Sequence, residues 1–278
     1  MFLDDAFIGC IHDQKAPAFA VVYGGHYICA GALFCANDFA NPDVFAARLA
    51  VQFTMGCQLG WFALGGSKDG VSDDGVSTGV DSCGDMGVFE VLADPKHTHE
   101  MEFLNELLAW KRIPWVREYL QQGQLSRPLQ LQSPIATFTA PTLKRNCTAT
   151  NPSVSCKPCC LVYPDMNIGP FPAASATAWK NTNGTSLCVL LVSTVQASSP
   201  THLSLRLDMA QHGFNSKDIA FSVELWAHSN TTAPKSLGNF KNQLIPIDRV
   251  LQGRQVEMVV ISQLEGEEGG GGEESIIH

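Results

Sequence analysis

One short segment of this sequence carries side chains suited to contacting a polar ligand. The stretch "YGGHYICAG" holds Tyr23, His26 and Tyr27 beside two glycines, directly after an apolar run. Loops at the carboxyl ends of parallel strands carry binding residues in α/β folds, and these side chains can stack on or hydrogen-bond a ligand. The alternative is that they cap the end of a sheet and satisfy its backbone groups.

A second candidate is the tryptophan of the segment "GWF". Gly60 allows close approach of the backbone, and Trp61 offers a flat apolar face with a single N–H donor. Sugar rings stack well on such a face. A buried tryptophan in the core is the alternative, so the pattern predicts either a ligand contact or a packing residue.

A cluster of carboxylates raises the question of a metal site. The segment "KDGVSDDGVSTGVDSCGD" contributes five aspartates, namely Asp69, Asp73, Asp74, Asp81 and Asp85. Their positions lack the alternating spacing and the closing glutamate of a calcium-binding EF-hand loop. We therefore expect a long solvated loop, and the sequence predicts neither a metal nor a cofactor.

The chain has ten cysteines, and three of them lie together in "CKPCC" as Cys156, Cys159 and Cys160. A zinc site would need a second CxxC or a pair of histidines, and neither follows. Disulfides, with Cys147 or Cys188 as candidate partners, or free thiols are expected instead. Cys29 and His26 form no recognisable nucleophile–base pair either, because nothing marks a third group to orient the base.

The elements that would position these residues change character along the chain. An apolar run at 19–23 predicts a strand covered on both faces, and Asn41 and Pro42 then open a largely buried helix. The segment "CQLGWFAL" predicts a second strand. A further amphipathic helix, "HEMEFLNELLAWKRI", ends or kinks at Pro114 before "WVREYLQQG".

From about residue 123 the apolar residues recur at every second position. The predicted strands are "QLSRPLQLQ", "SLCVLLVS", "HLSLRLDM", "IAFSVELWAH" and "QVEMVVISQL", separated by proline, asparagine and glycine turns. Several short strands with turn signals are typical of an antiparallel sandwich. The acidic, glycine-rich tail 265–278 is expected to be disordered.

Composition narrows the classes of partner. The net charge is −9, with only 18 lysines and arginines and no basic patch, so nucleic acid is not an expected partner. The sequence contains no apolar run of about 18 residues, so a membrane span is not expected.

The cellular location stays open at this point. The N-terminal "MFLDDAFIGC" lacks the basic region of a secretory signal peptide. Three N-glycosylation sequons nevertheless occur, at Asn146, Asn183 and Asn230, and they keep a secretory or lysosomal location among the alternatives.

Several segments, taken in order, resemble a known family. "VVYGGHYICAG", "FAARLAVQFTMGCQLGWF", "LADPKH" and "EFLNELLAWKRIPWVREYLQQGQLSRPL" are similar to the last part of the barrel in glycoside hydrolases of the α-galactosidase-like type and in related uncharacterised barrel families. "VELWAHSNTTAPKSLGNF" is similar to the end of their sandwich domain, although Glu224 stands where the family usually has aspartate. The order and spacing carry the resemblance, since no single motif is diagnostic.

The resemblance implies an α/β part followed by an all-β part. Residues 1–122 would be a partial (β/α)8 barrel comprising its last strand–helix units. Residues 123–264 would be an antiparallel C-terminal β-sandwich, interrupted by an irregular proline- and cysteine-rich insertion at 141–172.

The resemblance also limits which site residues can be assigned. Such hydrolases use two carboxylates across the glycosidic bond, on barrel strands earlier than those matched here. No aspartate or glutamate of this sequence matches a catalytic position, so the catalytic residues are unknown. Only Tyr23, His26, Tyr27 and Trp61 match late-strand ends that could line a sugar pocket.

We therefore expect a glycoside-hydrolase-like, carbohydrate-related chain that does not hydrolyse glycosides alone, because the strands bearing the catalytic carboxylates are missing from the match. The alternative is a non-catalytic carbohydrate-binding or interaction module of the β-sandwich type. A further alternative is a fragment without an independent role. Substrate sugar and oligomeric state are not predicted by any pattern in the sequence.

Overall fold

The computed structural model describes residues 33–34, 42–59, 61–62, 95, 98–132, 135–138, 171–195, 200–215 and 219–264. The expected strand at 19–23, the aspartate-rich loop, residues 141–170 of the expected insertion and the tail lie outside these residues. The described chain is mostly antiparallel β-sheet with few helices, and the helices precede most of the strands.

The helices are α1 (Pro42–Thr54), α2 (Thr98–Arg112) and α3 (Pro114–Leu120). The strands are β1 (Leu33–Phe34), β2 (Trp61–Phe62), β3 (Gln124–Leu125), β4 (Thr137–Phe138), β5 (Phe171–Pro172), β6 (Ala174–Lys180), β7 (Ser186–Ser193), β8 (Thr201–Asp208), β9 (Phe221–Trp226), β10 (Lys235–Phe240), β11 (Leu244–Leu251) and β12 (Val256–Gln263).

The first elements form a parallel strand–helix–strand unit. β1 pairs with β2 in parallel, with Leu33 opposite Trp61 and Phe34 opposite Phe62. Two parallel neighbours cannot be joined by a tight hairpin, so the chain must cross over, and α1 lies in that crossover. The expected order of helix and second strand is confirmed here, and the structure describes Trp61 and Phe62 of that strand.

The C-terminal end of α1 is fixed by a glycine. Gly56 has φ +73, and its N–H donates to the carbonyl of Phe53 at 3.0 Å, while Cys57 N–H donates to Gln52 O at 2.9 Å. This pair of bonds is the Schellman motif, in which a left-handed residue closes the helix. A Cβ at position 56 would stand 2.6 Å from the carbonyl oxygen of Leu120, so the close approach of α3 also requires glycine.

The largest sheet has six strands in the order β10-β9-β12-β7-β6-β3 and is antiparallel throughout. Its central strands are β7 and β12, which pair with each other through Val189 and Val259. All eight residues of β7 are buried, as are the first six of β12. A strand buried on both faces reads as a continuous apolar run rather than as an alternation, which matches β7 from Leu187 to Val192 and, apart from the buried Glu257, the first six residues of β12.

One face of this sheet packs against a second layer made of β8 and β11. These two strands pair along their full lengths, and Leu131 adds an isolated bridge to Leu205 at the other side of β8. The core between the layers consists of apolar side chains from both: Ala174, Ala178, Leu187, Val189, Leu191, Leu203, Leu205, Leu207, Val223, Leu225, Ile245, Ile247, Leu251, Val259 and Ile261.

The opposite face of the same sheet packs against the helices. The shared core contains Phe45, Leu49, Phe53, Leu104, Leu107, Trp110, Val116 and Leu120 from the helices and Trp179, Leu190, Val192, Val256, Met258 and Val260 from the strands. The helices and the antiparallel sheet are therefore joined through one continuous apolar core. The expectation that the first helix is largely buried is confirmed, since even Arg48 and Gln52 are buried in it.

The segment "QLSRPLQLQ" differs from its expected form. Only Gln124 and Leu125 form a strand, and Leu131 makes a single bridge. Pro128 lies between them, and proline removes the N–H that a ladder would need. The segment thus pairs with β6 at its beginning and with β8 at its end, passing from one layer to the other.

Candidate functional site

Most of the residues predicted to contact a sugar lie outside the part of the chain that the structure describes. Tyr23, His26 and Tyr27 lie outside the described residues. The backbone of Trp61 begins β2, directly beside β1, while its side chain lies outside the description. These four residues therefore stay predictions.

Within the described chain, the arrangement best suited to a sugar is a group of aromatic side chains that we call the aromatic cluster: Trp115, Tyr119 and Trp226. The ring centroids of Trp115 and Trp226 are 4.9 Å apart with the planes tilted by 42°, and those of Trp115 and Tyr119 are 6.3 Å apart edge to face. Both tryptophans are half-buried, whereas Tyr119 is buried. Half-buried indole rings combine apolar area with a polar N–H.

Local sequence explains how α3 places its two rings. Pro114 occupies the first turn of α3 and Ile113 before it is extended (φ −68, ψ 124), so the chain breaks from α2 and restarts. Trp115 and Tyr119 are four residues apart and share one side of α3. That side faces the six-stranded sheet, because both rings belong to the core between helices and sheet or pack against it.

The third ring is placed by the alternation of β9. Val223 and Leu225 point into the core between the two sheet layers, so Glu224 and Trp226 point to the helix side. Glu224 is half-buried there, in the same row of side chains as Trp226. The sheet thus brings a carboxylate and an indole to the side on which α3 presents its own tryptophan.

Polar groups surround the aromatic cluster. The hydroxyl of Tyr119 is 2.7 Å from Ser186 Oγ. Burial raises the pKa of Tyr119 well above its ordinary value, and the nearby Cys188, Glu118 and Glu224 add to that increase. The phenol is therefore neutral, and two carboxylates lie close enough to influence it. Such carboxylates can accept hydrogen bonds from sugar hydroxyls next to a stacking surface.

A contact between α2 and the strand connection after β9 supports this arrangement. Glu106 accepts hydrogen bonds from Ser229 N–H at 3.0 Å and from Ser229 Oγ at 2.8 Å. Hydrogen bonds to a carboxylate are stronger than those between neutral groups. The contact ties the end of β9, and with it Trp226, to the helix layer.

A second polar group lies where α1 and α2 begin. Nη2 of Arg254 is 3.3 Å from Glu100 Oε1 and 3.9 Å from Asp43 Oδ1. Arg254 has φ 55, which is uncommon for a residue with a side chain, and its N–H donates to Val195 O at 3.0 Å. Burial raises the pKa of Asp43, and the nearby guanidinium of Arg254 opposes that increase. Acidic residues in the first turns of two helices also complement the helix dipoles.

Sequence reasoning did not identify this ionic group. Glu100 and Arg254 are 154 positions apart, so no local motif contains both. A partial signal exists, because Asp43 and Glu100 stand in the first turns of helices that the sequence does predict. Asp43 and Glu100 share the guanidinium of Arg254 within the fold. Carboxylates engaged in such a salt bridge are not free to act as the acid and the nucleophile of a glycosidase.

A serine–histidine contact also occurs, at Ser126 and His212. Ser126 Oγ lies 2.7 Å from His212 Nδ1, and His212 is buried. Burial lowers the pKa of His212, and the charge of Lys180 acts in the same direction. The ammonium group of Lys180 stands 5.1 Å from the centroid of the Phe214 ring. Among the described residues no third group hydrogen-bonds to the His212 ring to orient it as a base, so we interpret the contact as structural.

The cysteine predictions are resolved at two positions. Cys188 is a free, buried thiol, so a disulfide between it and the "CKPCC" segment is wrong. It faces the core between sheet and helices, and burial raises the pKa of its thiol. Cys57 is disulfide-bonded.

Two further observations concern ligands and membranes. Among the residues that the structure describes, no group of three histidines, cysteines, aspartates or glutamates could hold a metal ion. The aspartate-rich loop lies outside these residues. No helix in the same part of the chain is long and apolar enough to cross a membrane.

With this geometry established, comparison with known proteins indicates the class. No family model matches the chain. It is 27% identical over 219 residues to a protein of Monosiga brevicollis named "Putative glycoside hydrolase 22789", a match that covers 78% of this chain and 16% of that protein. The chain is thus related to a glycoside-hydrolase-like protein and spans a small part of its length.

Two solved structures that resemble parts of the chain are a glycoside hydrolase and a glucanase-xylanase. A glycoside hydrolase family 5 structure from Bacteroides vulgatus covers 80% of this chain and 36% of its own, with 11% identity and a TM-score of 0.31. The bifunctional glucanase-xylanase CelM2, from a metagenome library, covers 33% of this chain and 16% of its own, with 19% identity and a TM-score of 0.23. Likenesses this weak carry no argument about fold or activity.

The expected relationship to glycoside hydrolases is therefore supported in its general form. The comparisons do not single out the α-galactosidase-like type. The expectation that the chain is related to carbohydrate chemistry agrees with the name of the relative.

Proposed function

We propose that this chain is the carbohydrate-contacting, carboxyl-terminal part of a glycoside-hydrolase-like architecture. In this proposal β1–α1–β2 belongs to the late part of a (β/α)8 barrel within residues 1–122, and residues 123–264 form a C-terminal β-sandwich. The observation that carries it is the parallel pair β1 and β2 with α1 in its crossover, together with the packing of α1 through one apolar core onto an antiparallel sheet that has a second layer behind it. The likeness to the Monosiga brevicollis protein supports the assignment to carbohydrate chemistry.

The proposed sugar contacts are the four residues that the resemblance aligns with late-strand ends, namely Tyr23, His26, Tyr27 and Trp61. Ligands of barrels bind at the carboxyl ends of the strands, and Trp61 lies on the described strand β2. The α-galactosidase-like type remains the finer form of the proposal, so galactosides belong among the first ligands to test.

We further propose that the chain by itself does not hydrolyse glycosides. Hydrolysis requires one carboxylic acid and one carboxylate positioned across the bond, and no aspartate or glutamate here matches a catalytic position. Asp43 and Glu100 are close in space but share the guanidinium of Arg254. A protonated acid and a free nucleophile are not the arrangement that a shared salt bridge favours.

The test is an assay of the purified chain on aryl α-galactosides, β-galactosides, β-glucosides and β-xylosides. We expect release of the aryl alcohol no faster than in buffer. Turnover that is abolished by Glu100→Gln would contradict the proposal and would identify that carboxylate as catalytic. Turnover that survives Glu100→Gln and Asp43→Asn would equally contradict it and would direct attention to carboxylates outside this group.

A second candidate function is non-catalytic carbohydrate binding through the aromatic cluster. The observation that favours it is the half-buried pair Trp115 and Trp226 with Glu224 in the same row of β9. Replacing Trp226 by Phe would remove the indole N–H and part of the stacking area while keeping an aromatic ring. An aromatic contact contributes about 0.5–1.5 kcal/mol, so binding should weaken by roughly two- to tenfold.

Affinity electrophoresis through gels containing soluble polysaccharide separates the two sites. If the aromatic cluster binds, Trp226→Phe reduces the retardation and Trp61→Phe leaves it unchanged. If the barrel edge binds, Trp61→Phe reduces the retardation and Trp226→Phe leaves it unchanged. Trp179→Phe controls for the loss of an indole from the core, because Trp179 is buried and presents no ring to a ligand.

A further inference from the structure

We propose that Asn183 and Asn230 are attachment sites for N-linked glycans. Each begins a sequon, Asn-Gly-Thr at 183 and Asn-Thr-Thr at 230, and the structure places both in exposed connections between antiparallel neighbours of the six-stranded sheet. An acceptor asparagine must carry a bulky polar glycan without disturbing the fold, which requires a surface position.

The turn between β6 and β7 leaves Asn183 at its tip. The turn is held by Asn181 instead, whose Oδ1 accepts hydrogen bonds from Thr185 N–H at 2.9 Å and from Ser186 N–H at 3.1 Å. Gly184, with φ +69, donates its N–H to Asn181 O at 3.0 Å. Within the described residues the side chain of Asn183 makes no hydrogen bond, so a glycan there replaces no contact that holds the hairpin.

The space around this tip is also open. A Cβ built on Gly184 would meet one neighbour, Lys180 Cδ at 3.7 Å, which is an ordinary contact distance. Asn183 and Thr185 are both exposed. A first sugar ring on the amide of Asn183 would therefore project into solvent.

The connection between β9 and β10 presents Asn230 in the same way. Thr231 N–H donates to His228 O at 3.1 Å, which forms a turn with Asn230 inside it. The preceding residue, Ser229, is anchored to Glu106 by two hydrogen bonds. Asn230 and Thr232 are exposed, and no hydrogen bond in the described chain engages the side chain of Asn230. A fixed backbone thus carries a free acceptor side chain.

A separate observation points to the compartment in which this modification occurs. Cys57 is disulfide-bonded. Disulfides form and persist in oxidising compartments, chiefly the secretory pathway and the outside of the cell, which are also where N-glycans are added. The third sequon, at Asn146, lies outside the described residues.

The reaction is a glycosyl transfer with a lipid-linked oligosaccharide pyrophosphate as the co-substrate. The amide nitrogen of the asparagine forms a bond to C1 of the first sugar and loses a proton. The bond between C1 and the pyrophosphate oxygen breaks, and the lipid pyrophosphate leaves with the bonding electron pair. No oxidation or reduction occurs.

The test is expression of the full chain behind a cleavable secretory signal in animal cells. Total protein is treated with peptide N-glycosidase in heavy-oxygen water, which converts each glycosylated asparagine to labelled aspartate. We expect label at both 183 and 230 in most molecules. The mature N-terminal peptide verifies that the signal was cleaved, and therefore that the chain entered the compartment.

Substitutions give an independent readout that does not depend on folding. Asn183→Gln and Asn230→Gln should each remove one mobility step in a denaturing gel, and the double substitution should remove two. Asn181→Gln, in the same hairpin but outside any sequon, should remove none. Unlabelled asparagine at both positions in signal-cleaved chain would overturn the proposal, and label at one position alone would overturn it for the other.

Discussion

The carbonyl oxygen of Thr54 provides a direct test of how α1 is held on the sheet. Thr54 is the last residue of α1, so its carbonyl has no partner within the helix. It accepts hydrogen bonds from Trp179 Nε1 at 2.7 Å and from Thr177 Oγ1 at 2.9 Å. Both donors lie on β6, and all three residues are buried. The carbonyl oxygen of Thr54 therefore links the helix layer to the antiparallel sheet through two hydrogen bonds.

Thr177→Val and Trp179→Phe remove the two donors while keeping an apolar side chain of related shape. Losing one donor leaves the carbonyl still paired, so the hydrogen-bond loss in each single variant should cost about 1 kcal/mol. Trp179→Phe should cost about 1–3 kcal/mol more, because it also leaves a small void in a packed core. The double variant leaves the buried oxygen without a donor, which adds a penalty of about 1–3 kcal/mol beyond the sum of the single effects.

The assay is urea unfolding followed by far-ultraviolet circular dichroism and by tryptophan fluorescence. Ser175→Ala is the matched control, since Ser175 contacts the side chain of Thr54 at 2.9 Å and not its carbonyl. Its effect should add to that of either donor variant. Additive effects of Thr177→Val and Trp179→Phe would contradict the shared role of the two donors, and so would unfolding of the helices in a separate transition before the sheet.

Three further changes test other contacts by the same unfolding measurement. Gly56→Ala must adopt φ +73 and place a Cβ 2.6 Å from Leu120 O, so we expect a loss of at least about 1–2 kcal/mol, and an unchanged midpoint would contradict this. Arg249 donates two hydrogen bonds, at 2.6 and 2.8 Å, to the buried carboxylate of Glu257. Arg249→Met leaves that charge without its cation and should lower the free energy of unfolding by about 3–5 kcal/mol, and adding Glu257→Gln should recover part of the loss. A larger loss in the double variant would argue against an uncompensated buried charge as the cause. Burial lowers the pKa of Lys111 from 10.5 to about 8. Between these two pH values Lys111 is protonated in the unfolded chain and largely neutral in the folded chain, so the free energy of unfolding should rise with pH. The rise attributable to Lys111 is up to about 3 kcal/mol, and Lys111→Met should remove it; an identical pH dependence in the variant would contradict the assignment.

Much of the secondary structure could be predicted where a single physical pattern dominates. α1 combines an opening proline, a nearly continuous apolar run and a glycine at its end, so both its burial and its C-terminal motif follow from the sequence. β8 and β9 alternate strictly between buried and less buried residues and were predictable from their period of two.

Other strands could not be predicted because their signals are weak or contradictory. β10 reads "KSLGNF", is largely exposed and lies at the edge of its sheet, so it lacks an apolar pattern. β11 contains Pro246, which argues against a central strand. In the structure β11 pairs with β8, with Pro246 opposite Arg206. Within the described sheet β11 pairs along one edge only, so it can include a residue that lacks a backbone N–H.

The candidate site shows the same division. Trp115 and Tyr119 could be placed on one side of a helix from their spacing alone. Their approach to Trp226 could not, because it depends on which strand of the sheet α3 covers. The ionic group at Arg254 likewise depends on a turn between β11 and β12 meeting the starts of two helices, a contact that no local pattern encodes.

Carbohydrate retention measured together with product analysis, on one sample of the purified chain, tests the central claim most directly. The chain is passed over an array of immobilised glycans that includes galactosides, glucans and xylans, and the glycans are then analysed for cleavage. We predict that the chain is retained on a defined subset of glycans and leaves them intact. Absence of retention on every glycan would contradict carbohydrate binding, and cleavage of a retained glycan would contradict the proposed lack of hydrolysis.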